Sequence, residues 1–328
     1  MSDSTNRIMA LARHEYRSAV RSKILIVLLG ILVAVTAVSV YIASVDYASK
    51  LADYQAYVDA AKTSGLDRIA PSPLAALSLL RGAFEYLEII GAVIAIALGY
   101  LTVSRERSNR TLPLIRSRPV TSGELATGSL LGALGVIATL VGVTAVVGVL
   151  GVGVIGHDWI NAAQALQLLL AYIAAIVYMG AFYCLGAIAT AKSRVAANGL
   201  MIALGIWLIV VLVLPQIGDT MDADNQIPGG LFKALGLGHD GEVQILTHFT
   251  GYERIRTWTE EASLAKHFER FSFAMSDVKE RYRPFSLPWL LGQTRNDIGW
   301  LIAYAGVLYA GLRRTFKQQP TIPQGGTQ

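Results

Sequence analysis

Ionisable side chains inside long apolar stretches are where this sequence could do chemistry, and it has few of them. Arg81, Glu85 and Glu88 stand at the start of one such stretch. Charged groups at membrane depth are costly, so they pair with one another or face water. Arg81 precedes Glu85 by one helical turn, which predicts an interfacial pair outside the hydrocarbon. Glu88 lies deeper and is the candidate for lining a translocation path. The usual catalytic patterns are missing. No GxxxxGK[ST] phosphate loop occurs, so the chain does not bind ATP through that motif. His14, His157, His239, His248 and His267 show no HxxxH or HExxH spacing, and there is no CxxC. No metal or other cofactor is therefore expected. Cys184 sits between Tyr183 and Leu185 as a small packing residue, and a single cysteine allows no intramolecular disulfide. With no nucleophile beside a base, the chain is not read as an enzyme.

The densest charge lies in segment 104–123, which reads SRERSNRTLPLIRSRPVTSG. It leaves an apolar run as a polar helix, takes an apolar step at 112–115 and is stopped by Pro119. Such a basic loop could anchor at anionic headgroups or dock a partner, and the residues alone leave both open. Arg13, Arg17 and Arg21 recur at i, i+4 and i+8, one stripe of an N-terminal helix that would lie on the membrane with its basic face in water.

The elements that position these groups follow from the apolar runs. The chain is 53% hydrophobic and 16% charged, and its apolar residues cluster into uncharged runs. Lipid, not water, is the solvent this implies. Runs at 24–44, 86–103, 125–155, 165–191, 195–214 and 298–312 predict an all-α integral membrane protein of six transmembrane helices. The sixth is short and is expected to extend outward through Arg295 and Asn296. The net charge of +5 resides in loops flanking the runs, which makes it an orientation signal and not a nucleic-acid surface. Arg7, Arg13, Arg17, Arg21 and Lys23 precede the first run, and Arg105, Arg107, Arg110, Arg116 and Arg118 follow the second. Lys192 and Arg194 separate the fourth from the fifth, and Arg313, Arg314 and Lys317 follow the sixth. Both termini are expected in the cytoplasm.

The predicted layout is an elbow helix over 1–23, spans one to five over 24–214, an outer segment over 215–297, span six over 298–312 and a tail over 313–328. Within the five-span region an outer loop covers 45–85. Two stripes fall in the outer segments. Tyr47, Leu51, Tyr54, Val58 and Ala61 form one, and Leu264, Phe268, Phe271, Met275, Val278 and Tyr282 form the other. Helical spacing at both, with Thr259 as the expected cap of the second, predicts a small helical extracytoplasmic domain. The stripes would pack on each other or dock a partner. Gly128 and Gly132 form a GxxxG pair in the third run, read as internal packing ahead of a dimer seam.

Glu106, Thr111, Leu112 and Pro119, between the second and third runs, resemble the pattern of type-2 ABC exporter permeases. The stretch LARHEYRSAVRSKILIVLLG, with Glu15 inside it, resembles that family's elbow helix. The stretch from Lys192 through AANGLMIALGIWLIVVLVLP is similar, more narrowly, to the permease that serves maturation of nitrous oxide reductase. Arg110 stands where the family usually has Gly. The resemblance implies a plasma-membrane subunit, paired with a second copy or a related permease, above two separate ABC ATPase subunits. Arg105, Glu106, Thr111, Leu112 and Pro119 would couple to the ATPase. Two function classes remain, export of a substrate or transmission of motion to an extracytoplasmic partner protein without translocation, and a structural subunit of another membrane complex is a third.

Overall fold

An apolar run in lipid must satisfy its backbone N–H and C=O groups within itself, and coiling into a helix does so. The computed structural model of the protein describes residues 3–64, 75–108, 121–222, 231–236, 241, 245, 249–278 and 286–318. Among these residues every regular element is helical. Helix α1 is Asp3–Val20 and α2 is Lys23–Thr63. Then come α3 (Ala76–Arg107), α4 (Ser122–Ile155), α5 (Ala162–Lys192) and α6 (Ala196–Met221). A shorter set follows: α7 (Thr250–Glu261), α8 (Leu264–Met275), α9 (Leu287–Gln293) and α10 (Arg295–Gln318).

Helices α2 to α6 are long and apolar enough to cross a membrane, and α10 is not among them. At 1.5 Å per residue, the 24 residues of α10 still extend about 36 Å. What it lacks is apolarity, with Arg295 and Asp297 at one end and Arg313, Arg314 and Lys317 at the other. Helix α5 is the centre of the bundle, with α3, α4, α6, α8 and α10 packed against it. Its Tyr178 and Tyr183 are among the largest fully buried side chains. It meets α3 backbone to backbone: a Cβ on Gly99 would stand 2.3 Å from the Tyr183 carbonyl oxygen. Only glycine allows that approach, and close approach is how helices gain contact where lipid removes the hydrophobic drive.

Local signals explain several boundaries. Thr121 and Asn161 open α4 and α5 with reciprocal capping boxes, paired with Glu124 and Gln164 respectively. Helix α2 departs from expectation by continuing past residue 44 to Thr63, 41 residues in all, or about 60 Å. Its buried positions Thr36, Val40, Ser44 and Tyr47 run on without a breaker, and the Tyr47 hydroxyl donates to Asp158 at 2.7 Å.

The helix expected to begin at Thr259 is instead two helices with a corner at Ser263. Thr259 lies inside α7 and its hydroxyl donates to the Ile255 carbonyl at 2.9 Å. The cap of α8 is Ser263, whose oxygen accepts from the Lys266 N–H at 3.2 Å. Among the described residues, the second stripe packs into the core of the bundle. Helices α7 and α8 form a hairpin that re-enters the bundle along α6. Arg256 pairs with Asp222 just beyond the end of α6 at 2.7 Å, while Ser263 Oγ donates to the Val210 carbonyl at 2.6 Å. Those two anchors are twelve residues apart on α6, so the tip descends about 18 Å along it. Val210 lies in a π-helical turn, Leu208–Val213, which frees carbonyls from the ladder. Ser263 takes one of them.

Candidate functional site

Helix α1 lies across α4 with Ala12, Glu15 and Ala19 turned inward and buried. The GxxxG pair is its seat. A Cβ on Gly128 would fall 2.6 Å from the Leu11 Cβ, and one on Gly132 would fall 2.6 Å from both the Ala12 carbonyl oxygen and the Glu15 Cβ. Arg13, Arg17 and Arg21 point the other way and are exposed.

From that seat Glu15 reaches across to the end of α3. Its Oε1 accepts from the Thr102 hydroxyl at 2.6 Å and from Arg105 Nη2 at 2.8 Å. Arg105 also donates to the Leu101 carbonyl at 3.0 Å and bonds the Ser18 hydroxyl. The Tyr183 hydroxyl approaches Thr102 at 3.5 Å from α5. Arg107 turns to the last carbonyls of α5, donating to Ala191 at 2.6 Å and Ser193 at 2.8 Å. Helix ends leave such carbonyls without partners, and a guanidinium supplies two donors at once.

The far root of the same segment is held in the same way. Arg7 on α1 donates to Glu124 Oε1 through Nη2 at 2.9 Å and Nε at 3.1 Å. The other oxygen of Glu124 accepts the Thr121 N–H at 2.8 Å, completing the cap of α4. Segment 104–123 thus leaves and re-enters the bundle at two points, and α1 grips both. Glu106 is half-buried at the first root. Thr111, Leu112, Pro119 and Arg110 lie outside the described residues.

A family profile described as ABC-2 family transporter protein matches residues 9–319. The chain belongs to the ABC-2 transporter family. It is a multi-pass membrane protein of the permease type. No curated protein matches it.

At the opposite end of the permease, Arg81 and Glu85 form an exposed pair at 2.7 Å. Glu88 is 8% exposed and sits in a second π-helical turn, Leu87–Gly91. Its backbone carbonyl accepts the Tyr178 hydroxyl at 2.8 Å. Hairpin helix α8 covers this region, and Phe268 stacks on Tyr178 with ring centroids 4.7 Å apart. Leu264, Phe268, Phe271 and Met275 are all buried within the chain, and Val278 packs against the core. That stripe therefore packs inside the bundle; Tyr282 lies outside the described residues.

Sequence reading did not find the polar ties of the hairpin. Lys266 pairs with Asp219 and with Glu269, each at 2.8 Å. Burial works against its charge, but the carboxylates of Glu269 and Asp219 hold its pKa above the ordinary lysine value. His267 is fully buried, with Nδ1 2.8 Å from Asp297 and Nε2 3.0 Å from the Glu261 carbonyl oxygen. The Tyr304 hydroxyl donates to the Ala262 carbonyl at 3.3 Å. The polar backbone of the corner is thereby partnered inside the bundle, as irregular backbone within a membrane protein requires.

Proposed function

We propose that this chain is the membrane-spanning subunit of an ABC transporter, coupling ATP hydrolysis by a separate ATPase subunit to export of a substrate. In this reading α10 is a sixth span, both termini face the cytoplasm, and two permeases, identical or related, pair in the plasma membrane. Basic residues gather at one end of the spans, as cytoplasmic loops require.

The observation that carries the reading is the grip of α1 on both roots of segment 104–123, through Glu15–Arg105 and Arg7–Glu124. Glu106, Thr111, Leu112 and Pro119 would seat in a groove of the ATPase. Arg105 takes a different part from the one its position suggested, because it is turned inward to Glu15. When the ATPase pair closes, the segment moves, and the two ion pairs oblige α1 to move with it. The glycine seat carries that motion into α4, and Arg107 carries it into the α5–α6 turn. A stroke received at one segment then biases two packings of the whole bundle, which is what a transport cycle needs.

The narrower resemblance, to the permease of nitrous oxide reductase maturation, rests on the stretch around the fifth span. An extracytoplasmic partner protein belongs to that reading alone. The test of the broader one is ATP turnover. Purified by itself, the chain hydrolyses ATP at background rate, and turnover appears once a nucleotide-binding subunit is co-expressed with it. Robust turnover by the isolated chain would remove the permease reading.

A further inference from the structure

Basic residues at the end of the bundle that holds segment 104–123 fall into two groups. Arg7, Arg105 and Arg107 turn inward and are ion-paired or hydrogen-bonded. Arg13, Arg17, Arg21 and Lys23 are exposed, and their side chains make no hydrogen bond or ion pair among the described residues. The three arginines recur every four residues, about 6 Å apart along the axis of α1. Glu15 stands between them in sequence but points into the seat on α4 and takes Arg105, so it is not their counterion. A guanidinium presents a fork of donors that matches phosphate oxygens.

The neighbours of these residues say what the face meets. Met9 and Val20, 42% and 45% exposed, lie on the stripe of Arg13 and Arg17, at steps of four, four and three. Lys23 opens α2, where Ile24, Val27 and Ile31 are exposed on a helix long and apolar enough to cross a membrane. Arginines with apolar side chains among them, running on into a lipid-facing span, suit the boundary between headgroups and acyl chains. Phosphodiesters on one side of that boundary and acyl chains on the other cover both kinds of side chain at once.

We propose that this face of α1 binds anionic phospholipid, with Arg13, Arg17, Arg21 and Lys23 on the phosphodiester groups and Met9 and Val20 against the acyl chains. The proposal rests on the permease reading and adds a regulator to it. Because α1 grips both roots of segment 104–123, lipid bound to its exposed face holds it on the glycine seat and keeps the two ties closed. In an uncharged bilayer the same arginines repel one another at i, i+4 spacing, and α1 leaves its seat more readily.

The test uses the full chain in phosphatidylcholine nanodiscs with increasing phosphatidylglycerol, read by thermal unfolding. A ligand that binds only the folded state raises the unfolding temperature. Phosphatidylglycerol is expected to raise it, and salt at about 1 M to cancel most of the rise, since exposed charges then act over only about 3 Å. Each basic residue near a charged membrane surface is worth roughly fivefold in binding. Arg17→Gln is therefore expected to raise the phosphatidylglycerol content needed for half the rise about fivefold. Arg13→Gln, Arg17→Gln and Arg21→Gln together are expected to abolish the response. Lys192→Gln, Arg194→Gln and Arg314→Gln together remove the same charge from other exposed positions and are expected to keep it. Equal loss in the two triple variants would reduce the effect to general attraction and overturn the site. So would an equal rise on adding inorganic phosphate to pure phosphatidylcholine nanodiscs, which would make free phosphate the ligand. An α1 triple variant that keeps its lipid response but no longer co-purifies with the ATPase would make the face a protein-docking surface instead. No ATPase is present in the lipid measurements, so failure of the coupling account and failure of this site are read separately. In the complex, phosphatidylglycerol is expected to raise ATP turnover with the wild-type chain and not with the α1 triple variant.

Discussion

Glu15 and Arg105 meet across 90 residues of sequence, and their energetics differ from those of the surface pairs. Side chains of Arg81 and Glu85 are 60% and 41% exposed, so that pair contributes little to stability. Glu15 is 12% exposed in its side chain and Arg105 28%, and removing one partner strands the other's charge out of water. Arg105→Ala is expected to destabilise the chain by about 2–3 kcal/mol. Glu15→Gln keeps an acceptor for Thr102 and is expected to cost about 1 kcal/mol. The double variant is expected to fall short of the sum by about 1–2 kcal/mol, the mark of groups in direct contact. Denaturant unfolding in detergent micelles measures all four corners of that cycle, and additive losses would show the pair to be energetically idle. Both residues stand out in the sequence, each for a separate reason: one as part of an N-terminal helix, the other as part of a basic loop. Nothing local says that they touch. The cap of α4 is different, because Thr121 and Glu124 are three apart and that spacing is itself the signal. The pairing of Glu124 with Arg7, 117 residues away, leaves no such trace.

Among the helices, those built from long apolar runs are legible because lipid fixes both their length and their conformation. Helix α2 is read correctly to residue 44 and then cut short. Its second half is polar enough to look like a separate element, although its buried positions keep helical spacing through Tyr47. The hairpin is illegible for a different reason. Its periodicity correctly predicts helix, but whether α8 stands outside the membrane or inside the bundle depends on Tyr178, Val210 and Asp297, all on other helices. The glycine seat of α1 gives the sharpest prediction at this scale. Gly132→Val would push a side chain against the Ala12 carbonyl and Glu15 with no room to give. A cysteine at Ala12, buried in the docked helix, is expected to become reactive to maleimide in that variant, in a Cys184→Ala background. Gly142→Val is the control, since a Cβ there meets nothing within 4 Å. Equal reactivity in both would mean that the seat does not hold the helix.

For the molecule as a whole, the layout places two polar assemblies at opposite ends of one bundle whose centre is α5. At the basic end, α1 binds both roots of segment 104–123 and lies against α4. At the other end, the hairpin lies over Glu88 against α3, α5 and α10. Helix α5 touches both, through Tyr183 near Thr102 and through Tyr178 against Phe268. Packed interiors switch between discrete arrangements, so movement of α1 at one end can repack α5 and reach the other. In the proposed cycle the Glu15–Arg105 tie passes ATPase motion into the bundle. Spin labels on Arg17→Cys and Arg194→Cys, both exposed positions, report the separation of α1 from the α5–α6 turn. In the complex with its ATPase subunit, that distance is predicted to shift between the nucleotide-free and ATP-trapped states. With Glu15→Ala and Arg105→Ala introduced and the ATPase still bound, the shift is predicted to vanish. A shift of the same size with and without the tie would contradict the account.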